Sequence, residues 1–526
     1  MTFPSKKAAR SSPSFRQAMS GVHVWSGVLA GWLLFAIFVT GGVSFFRDET
    51  SQWLRPEMAA RPAQLDQVKV GELALASLAR IAPDSQKWQI VLPTLRSNVV
   101  EAVWQNTNQR NRILLSPSTG DIVTVRDTKA GEFFYYFHFS LYYLPLTLGR
   151  WIVGLCAMFG LIAIVTGVII HKRIFSDFFT FRWGKGQRSW LDAHNAFSVF
   201  GLPFYLMILY TGLVTLMFTY MPWGKAFVYP DQHGAHAIIE EMTVKLDPPL
   251  ASDSDLPLAK LAPMMAKASE LFGVGNLGRI IVNNPGKANA QLAITRGDAE
   301  RVSISPQYIL FEGATGSLIK IKNKASNASS TWALIYALHL GRFAESFGRF
   351  LYFFLSLAGA AMIATGMVLW GVKRRQKRKD STSFFGLRLV EKGNVACIAG
   401  LTMAVPTFFI ANRLLPLDIP NRSDWEIHCF FICWLFAGLH AFLRPALKAW
   451  SEQLSFAALL LLLLPILNSF TTDRGLINSL ETGDTVFASF DVACLLLATG
   501  LFLLARRIEK TRIEKHFHHP DDSKSR

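Results

Sequence analysis

Eight stretches of this chain are apolar enough and long enough to cross, or nearly cross, a lipid bilayer, and they constrain the fold more than any short motif does. In hydrocarbon the backbone must satisfy its own N–H and C=O groups, so such stretches fold as helices. They fall at 17–46, 151–170, 193–224, 350–372, 395–411, 427–443, 454–470 and 485–505. The first is too long for a signal peptide and lacks a small-residue cleavage site, so it reads as a signal anchor.

Composition excludes the competing classes. With 51% hydrophobic and 17% charged residues, the chain cannot be disordered, and it carries fewer charges than the ~25% of ordinary soluble domains. The formal net charge of +17 would suggest nucleic acid if the basic residues formed one patch. Instead they fall in short blocks between apolar runs, so no nucleic-acid partner is expected. Five Cys are too few for a disulfide framework.

Those blocks orient the spans. Lys6, Lys7, Arg10 and Arg16 precede span 1, five Lys or Arg lie between Lys172 and Arg188, eight follow span 4, and seven follow Ala505. The positive-inside rule then puts both termini in the cytoplasm. The expected order is a basic N-terminus (1–16), span 1 (17–46), an outer domain (47–131), a helical segment with span 2 (132–171), an inner loop (172–192) and span 3 (193–224). A second outer domain (225–331), a helical segment with span 4 (332–372), a basic inner loop (373–393), a four-helix extension (394–507) and a tail (508–526) complete it.

Each long outer loop has a helix-like stretch followed by alternating, strand-like ones, the pattern of a small α+β domain. In the first, 70–81 precedes 88–92, 99–104, 112–115 and 122–125; in the second, 258–272 precedes 279–282, 291–295, 308–311 and 317–321.

The two halves match in register. His23 is followed 17 residues later by Thr40-Gly41, and His194 by Thr211-Gly212 at the same spacing. Gly149-Arg150 leads to Thr166-Gly167, and Gly348-Arg349 to Thr365-Gly366, with 18 residues from Gly to Gly in each. His138 and His339 stand upstream of those Gly-Arg pairs. A unit of span, outer domain and span is therefore repeated in parallel orientation. Two-fold pseudo-symmetry would pair His23 with His194 at the inner side and His138 with His339 at the outer side. Two facing imidazoles on separate helices supply the axial ligands of a six-coordinate haem. Gly27 and Ser198, four residues after the inner histidines, leave room for a porphyrin. No C-x-x-C-H occurs, so any haem at either pair would be of the non-covalent b type.

His171 lies at the inner edge without a repeat partner, since Trp370 stands at the equivalent position, and reads as a cap or headgroup contact that could replace an inner ligand. His428 and His440 share span 6 but sit about 18 Å apart along it, too far to ligate one iron; packing explains them better than a further cofactor or a quinone. Asp491 in span 8 is a functional candidate by default as an intramembrane acid, although near the span's end it could reach water. Gly273-Val-Gly275-Asn-Leu-Gly278 matches a dinucleotide fingerprint, but a helix-like stretch precedes it and a strand-like one follows, the reverse of what that site needs.

The ordered set of His, outer domain, His, Gly-Arg and Thr-Gly, occurring twice over about 15–375, resembles the PepSY-associated transmembrane helix family, which includes di-haem siderophore reductases of the ferrioxamine type. The resemblance implies periplasmic PepSY-like domains, haem ligands at His23, His138, His194 and His339, and reduction of a ferric siderophore in the periplasm with release of ferrous iron. Electrons would come from a quinol or a cytoplasmic reductase. Arg150 and Arg349 could hold haem propionates through bidentate hydrogen bonds, or equally anchor the spans to lipid headgroups. The four C-terminal spans lie outside the resemblance. Two other classes stay open: a haem-free scaffold or sensor whose outer domains bind proteins, and a siderophore or iron transporter with helix breaks such as Pro203 lining its path.

Overall fold

The computed structural model describes residues 14–517 except 59–65, 95, 107–108, 172, 174, 183, 224–226, 228–240, 245, 299–300 and 378–384. Lys6, Lys7, Arg10, Lys172, Arg378, Lys379, the start of the second outer loop and the last tail residues therefore lie outside the described residues.

The expected spans are present. Among the described residues seven helices are long and apolar enough to cross a membrane, and a bent pair makes an eighth. Spans 1, 2 and 4 are Phe15–Ser44, Leu146–Ile170 and Ser346–Lys377. Spans 5 to 8 are Phe385–Leu414, Arg422–Leu443, Ala446–Thr471 and Thr485–Phe517. Span 5 starts ten residues before the apolar run does; its first turns are amphipathic, and a π-helical turn at Val395–Ala399 joins them to the apolar part.

Span 3 departs from expectation. Rather than one helix over 193–224 it is Gln187–Phe200 and Leu202–Thr215, bent by 67° at Gly201. Pro203 lacks an N–H and so suits the first turn of the second helix but not the interior of a continuous one. The ring of Tyr205 packs where a side chain at 201 would sit, and its hydroxyl donates to the Phe197 carbonyl at 3.0 Å, so the break is filled by the chain itself.

The outer loops differ from expectation in one respect that matters for function. They do not form two separate sheets. β1 (Lys87–Val91), β2 (Val100–Gln105) and β3 (Arg110–Leu115) come from the first loop, and β4 (Leu277–Asn283), β5 (Gln291–Arg296), β6 (Tyr308–Glu312) and β7 (Leu318–Lys322) from the second. They join into one antiparallel sheet of order β3-β2-β1-β4-β5-β6-β7. The seam is β1 against β4, with Trp88 opposite Val282 and Ile90 opposite Ile280. Each half alone would expose an apolar edge strand, and the seam removes both edges. It also fixes both loops on the same side of the membrane. The expected strand at 122–125 is absent: beyond the Gly120 turn only a single bridge, Leu115 to Ile122, forms. The chain is then drawn away as Arg126 pairs with Glu57 and donates to Asn412.

Helices Gln67–Ile81 and Leu261–Phe272 cover one face of this sheet, burying Leu78, Met265, Trp88, Ile90, Ile280 and Val282 in a shared core. The other face looks toward the spans.

The C-terminal spans are fastened to the first half by buried polar contacts. Arg422 and Glu426 form an ion pair at 2.6 Å with side chains 1% and 0% exposed. Thr128 and Asn412 also donate to Glu426, at 2.5 and 2.7 Å. Asp491 does not reach water as the sequence allowed. It is fully buried because Trp53, from the outer helix Arg47–Trp53, lies over it and donates at 3.2 Å, as does Asn468.

Candidate functional site: two histidine pairs in the helix bundle

The four repeat-marked histidines meet in the expected pairs. His23 and His194 have ring centroids 6.3 Å apart with planes at 66°, and His138 and His339 are 6.1 Å apart at 30°. His23 lies on span 1 and His194 on the first part of span 3. His138 and His339 lie in the last turns of the outer helices Glu132–Ser140 and Asn327–Leu340, which drop onto the bundle just before spans 2 and 4. His23 and Gly41, the glycine against His138, are 18 residues apart on span 1, roughly 27 Å along its axis. That is close to the ~30 Å thickness of a bilayer's hydrocarbon core.

The glycines of the Thr-Gly pairs supply the seats. A side chain added at Gly41 would sit 2.7 Å from the His138 ring, and one at Gly212 2.9 Å from His339. At Gly366 it would be 2.9 Å from His194, and at Gly167 3.2 Å from His23. Each imidazole therefore lies directly on the backbone of a neighbouring span, its Nδ1–Cε1 edge toward the glycine.

Nδ1 is engaged in all four. It donates at 2.8 Å to the carbonyl of Ala163 from His23, of Ile37 from His138 and of Met362 from His194. Each of these carbonyls stands four residues before the matching glycine. In the fourth case His339 Nδ1 meets the Thr211 hydroxyl at 3.1 Å. That hydroxyl already donates to the Met207 carbonyl at 2.7 Å, so it accepts from the histidine. The other three threonines likewise donate to the preceding turn of their own helix. A carbonyl acceptor at Nδ1 fixes the tautomer and leaves the Nε2 lone pair for a ligand. The sequence carried this signal in the constant Thr-Gly spacing, but its meaning depends on a neighbouring helix.

The remaining candidates divide. His171 accepts from Asn195, beside His194, and stands outside the ring pairs. Tyr143 and His428 hydrogen-bond at 2.6 Å, and His440 pairs with Glu452 at 3.0 Å, so the two span-6 histidines serve separate contacts. At Gly27 an added side chain would meet nothing within 4 Å, while the Ser198 hydroxyl turns back to the His194 carbonyl. Arg150 lies over the Phe139 ring and its Nε is buried with no hydrogen-bond partner among the described residues. Arg349 is engaged by Glu49, which also holds Arg96 through paired hydrogen bonds. Burial works to raise the Glu49 carboxyl, but the Arg96 hydrogen bond and the charges of Arg96 and Arg349 outweigh it and hold it below the usual carboxylate range. Among the described residues no cluster of three or more His, Cys, Asp or Glu could hold a bare metal ion.

Above the outer pair lies a cavity of about 1630 Å³ between the bundle and the bare face of the sheet. His138, His339, Gly41 and Gly212 are on its floor, and residues of β1 to β5 are on its roof. Both arginines of the Gly-Arg pairs line it.

An uncharacterised protein of Pseudomonas aeruginosa, PA4219, is 24% identical to this chain over 323 residues, covering 56% of this chain and 76% of that protein. The family profile described as the PepSY-associated TM region matches residues 20–373, the stretch that holds both histidine pairs and the whole outer sheet. This multi-pass membrane protein belongs to the PepSY-associated transmembrane family.

Proposed function

We propose that the chain is an inner-membrane di-haem oxidoreductase, built on a two-fold internal repeat, that passes electrons across the membrane to a ferric siderophore in the periplasm and releases ferrous iron. The observation that carries this reading is the spacing of the two ring pairs. An iron bound by two imidazoles needs about 2 Å to each Nε2, and with the ring radii the centroids then fall about 6 Å apart. The separations of 6.3 and 6.1 Å fit that requirement at both pairs. Two ligands per site suffice because the porphyrin supplies the other four, so the lack of larger ligand clusters among the described residues is compatible with haem.

Haem bound at the two pairs would supply one-electron carriage from the inner to the outer side. The residues supply the rest. The helix carbonyls hold Nδ1–H and turn the basic nitrogen toward a ligand. The glycines let each ring lie against a span, and Gly27 leaves open space beside the inner pair. Arg150, with an unused buried Nε, suits a propionate, whereas Arg349 would have to share its guanidinium with Glu49. The electron acceptor is an Fe(III) chelate: hard oxygen ligands hold Fe(III) tightly and Fe(II) weakly, so one electron loosens the metal.

The test uses full-length protein reduced anaerobically, freed of excess reductant and mixed with ferric siderophore in a stopped-flow cell. Reoxidation of the haem bands, matched by trapping of ferrous iron with a chromogenic chelator, is expected. Reduced protein that stays reduced in the presence of excess ferric siderophores of every charge type would refute the reductase reading.

A further inference from the structure

The cavity over the outer histidine pair carries much more positive charge than its own carboxylates neutralise. Ten of its lining residues are Lys or Arg and four are Asp or Glu. The acids are largely committed: Asp48 pairs with Arg96, Asp298 with Arg342, and Glu101 with Arg112, which shares the sheet face of Arg110. On the roof, Lys87, Arg110, Arg279, Arg296 and Arg301 form no ion pair among the described residues, and Asp298, the carboxylate whose charge reaches Arg301, is already paired with Arg342.

Their placement follows from the sheet. Side chains alternate between faces, so when Trp88 and Ile90 enter the core beneath the helices, Lys87, Gln89 and Val91 face the cavity. The β1–β2–β3 register sets Lys87 opposite Gln105 and Gln105 opposite Arg110, which brings Lys87 and Arg110 to one corner. The seam sets Val91 opposite Arg279. Arg279 is therefore four strand positions from Lys87, about 13 Å away, on the side where Arg296 and Arg301 stand. Like charges are crowded within each corner. Burial, and then Arg110, pushes the Lys87 ammonium below its usual range; burial, and then Arg296, does the same to Arg301. Arg296 also has a buried Nε with no hydrogen-bond partner among the described residues. A protein that faces two cationic corners toward one cavity, against their mutual repulsion, gains from an anion between them.

We propose that this cavity selects a polyanionic ferric chelate, with carboxylate or catecholate ligands, held between the Lys87–Arg110 corner and the Arg279–Arg296–Arg301 corner of the sheet and above the His138–His339 pair. The substrate class rests on the reading of that pair as the electron exit; the charge preference itself does not. Neutral hydroxamate chelates fit the volume but gain nothing from the two corners. The same cations could instead face anionic lipid headgroups, and the test separates these sources.

Full-length oxidised protein in nanodiscs of zwitterionic lipid is titrated with a trianionic ferric tris-catecholate and with a neutral ferric trihydroxamate, following tryptophan quenching. The trianion should bind about tenfold or more tighter, with an affinity that falls steeply with salt. The double variants Lys87→Gln/Arg110→Gln and Arg279→Gln/Arg296→Gln should each lose most of that preference and leave the neutral chelate within about twofold. Should a variant fail to fold, the salt dependence and charge preference of the unaltered protein still decide. Equal binding of the two chelates overturns the proposal, as does binding of phosphatidylglycerol at these corners without binding of the trianion. Because nothing in the titration requires electron transfer, charge-selective binding by a protein that never reoxidises would sink the reductase reading alone. Two haems with no charge selectivity would sink only this proposal.

Discussion

The inner and outer histidine pairs are built from the same parts and placed in different surroundings. In each, a ring rests on a glycine of a neighbouring span and gives its Nδ1–H to that span's backbone or threonine. The inner pair sits among spans 1 to 4, half-buried, with the Asn195–His171 contact beside it. The outer pair forms the floor of a large, positively charged cavity roofed by the sheet. The seat is therefore the repeated geometry within this molecule, and the surroundings differ: of the two pairs, His138–His339 lines the large cavity. The ring planes differ too, 66° inside and 30° outside.

The largest expected difference lies between histidine substitutions. His23→Ala or His194→Ala should remove about one haem and block entry of electrons, whereas His138→Ala or His339→Ala should leave the inner site reducible and stop transfer to the ferric chelate. Pyridine haemochrome counts with stopped-flow traces check this. An outer-site variant that reoxidises at the unaltered rate would break the comparison by placing the exit elsewhere.

Adding a methyl group to the seats comes next. Gly41→Ala puts a carbon 2.7 Å from the His138 ring, and Gly167→Ala one 3.2 Å from His23. A disturbed orienting contact typically costs about 10–100-fold in metal affinity. Gly41→Ala should fall in that range at the outer site, while Gly167→Ala should cost less at the inner one. Equal, negligible losses by haem titration would show that the glycines only pack helices.

A smaller effect is expected at Thr211. Thr211→Val keeps the shape but removes the oxygen that accepts from His339, so the outer midpoint potential should move while the inner one stays. Redox titration resolves the two, and a shift confined to the inner site would contradict the assignment.

The smallest concerns Glu49. Its carboxyl is held below the usual range, so its contribution to stability is full above the unfolded value of about 4.3 and is lost as pH falls through the lower folded value. Glu49→Gln should lower the melting temperature at neutral pH, with the gap from the unaltered protein closing in acid. A gap that stays constant with pH would mean that Arg96 and Arg349 do not depend on the Glu49 charge.

Much of this architecture was legible in the sequence because it is written in local periodicity. Apolar runs gave the spans, alternation gave the strands that formed, and the matched spacings from His23 and His194 gave the pairs. What was not legible depends on partners far apart in the chain. Trp88 and Val282 carry no mark that their strands are neighbours, so two domains were expected where one sheet exists. At the Gly201 bend the Tyr205 ring fills the space a side chain would take, a contact that Pro203 alone does not announce. Asp491 looked close to water until Trp53, 438 positions earlier, covered it. Arg349 looked available for a propionate until Glu49 claimed it. The cationic corners were invisible for the same reason, since Lys87 and Arg279 become wall-mates only through the seam.

In the proposed reading, two half-buried imidazole pairs each hold one haem. The most direct measurement is haem per chain in the purified full-length protein, by pyridine haemochrome against quantitative amino-acid analysis, with the His23→Ala/His138→Ala variant alongside. The expected result is b-type bands, two haems per chain in the unaltered protein and none in the variant. A correctly inserted protein, supplied with haem and binding none, would contradict it.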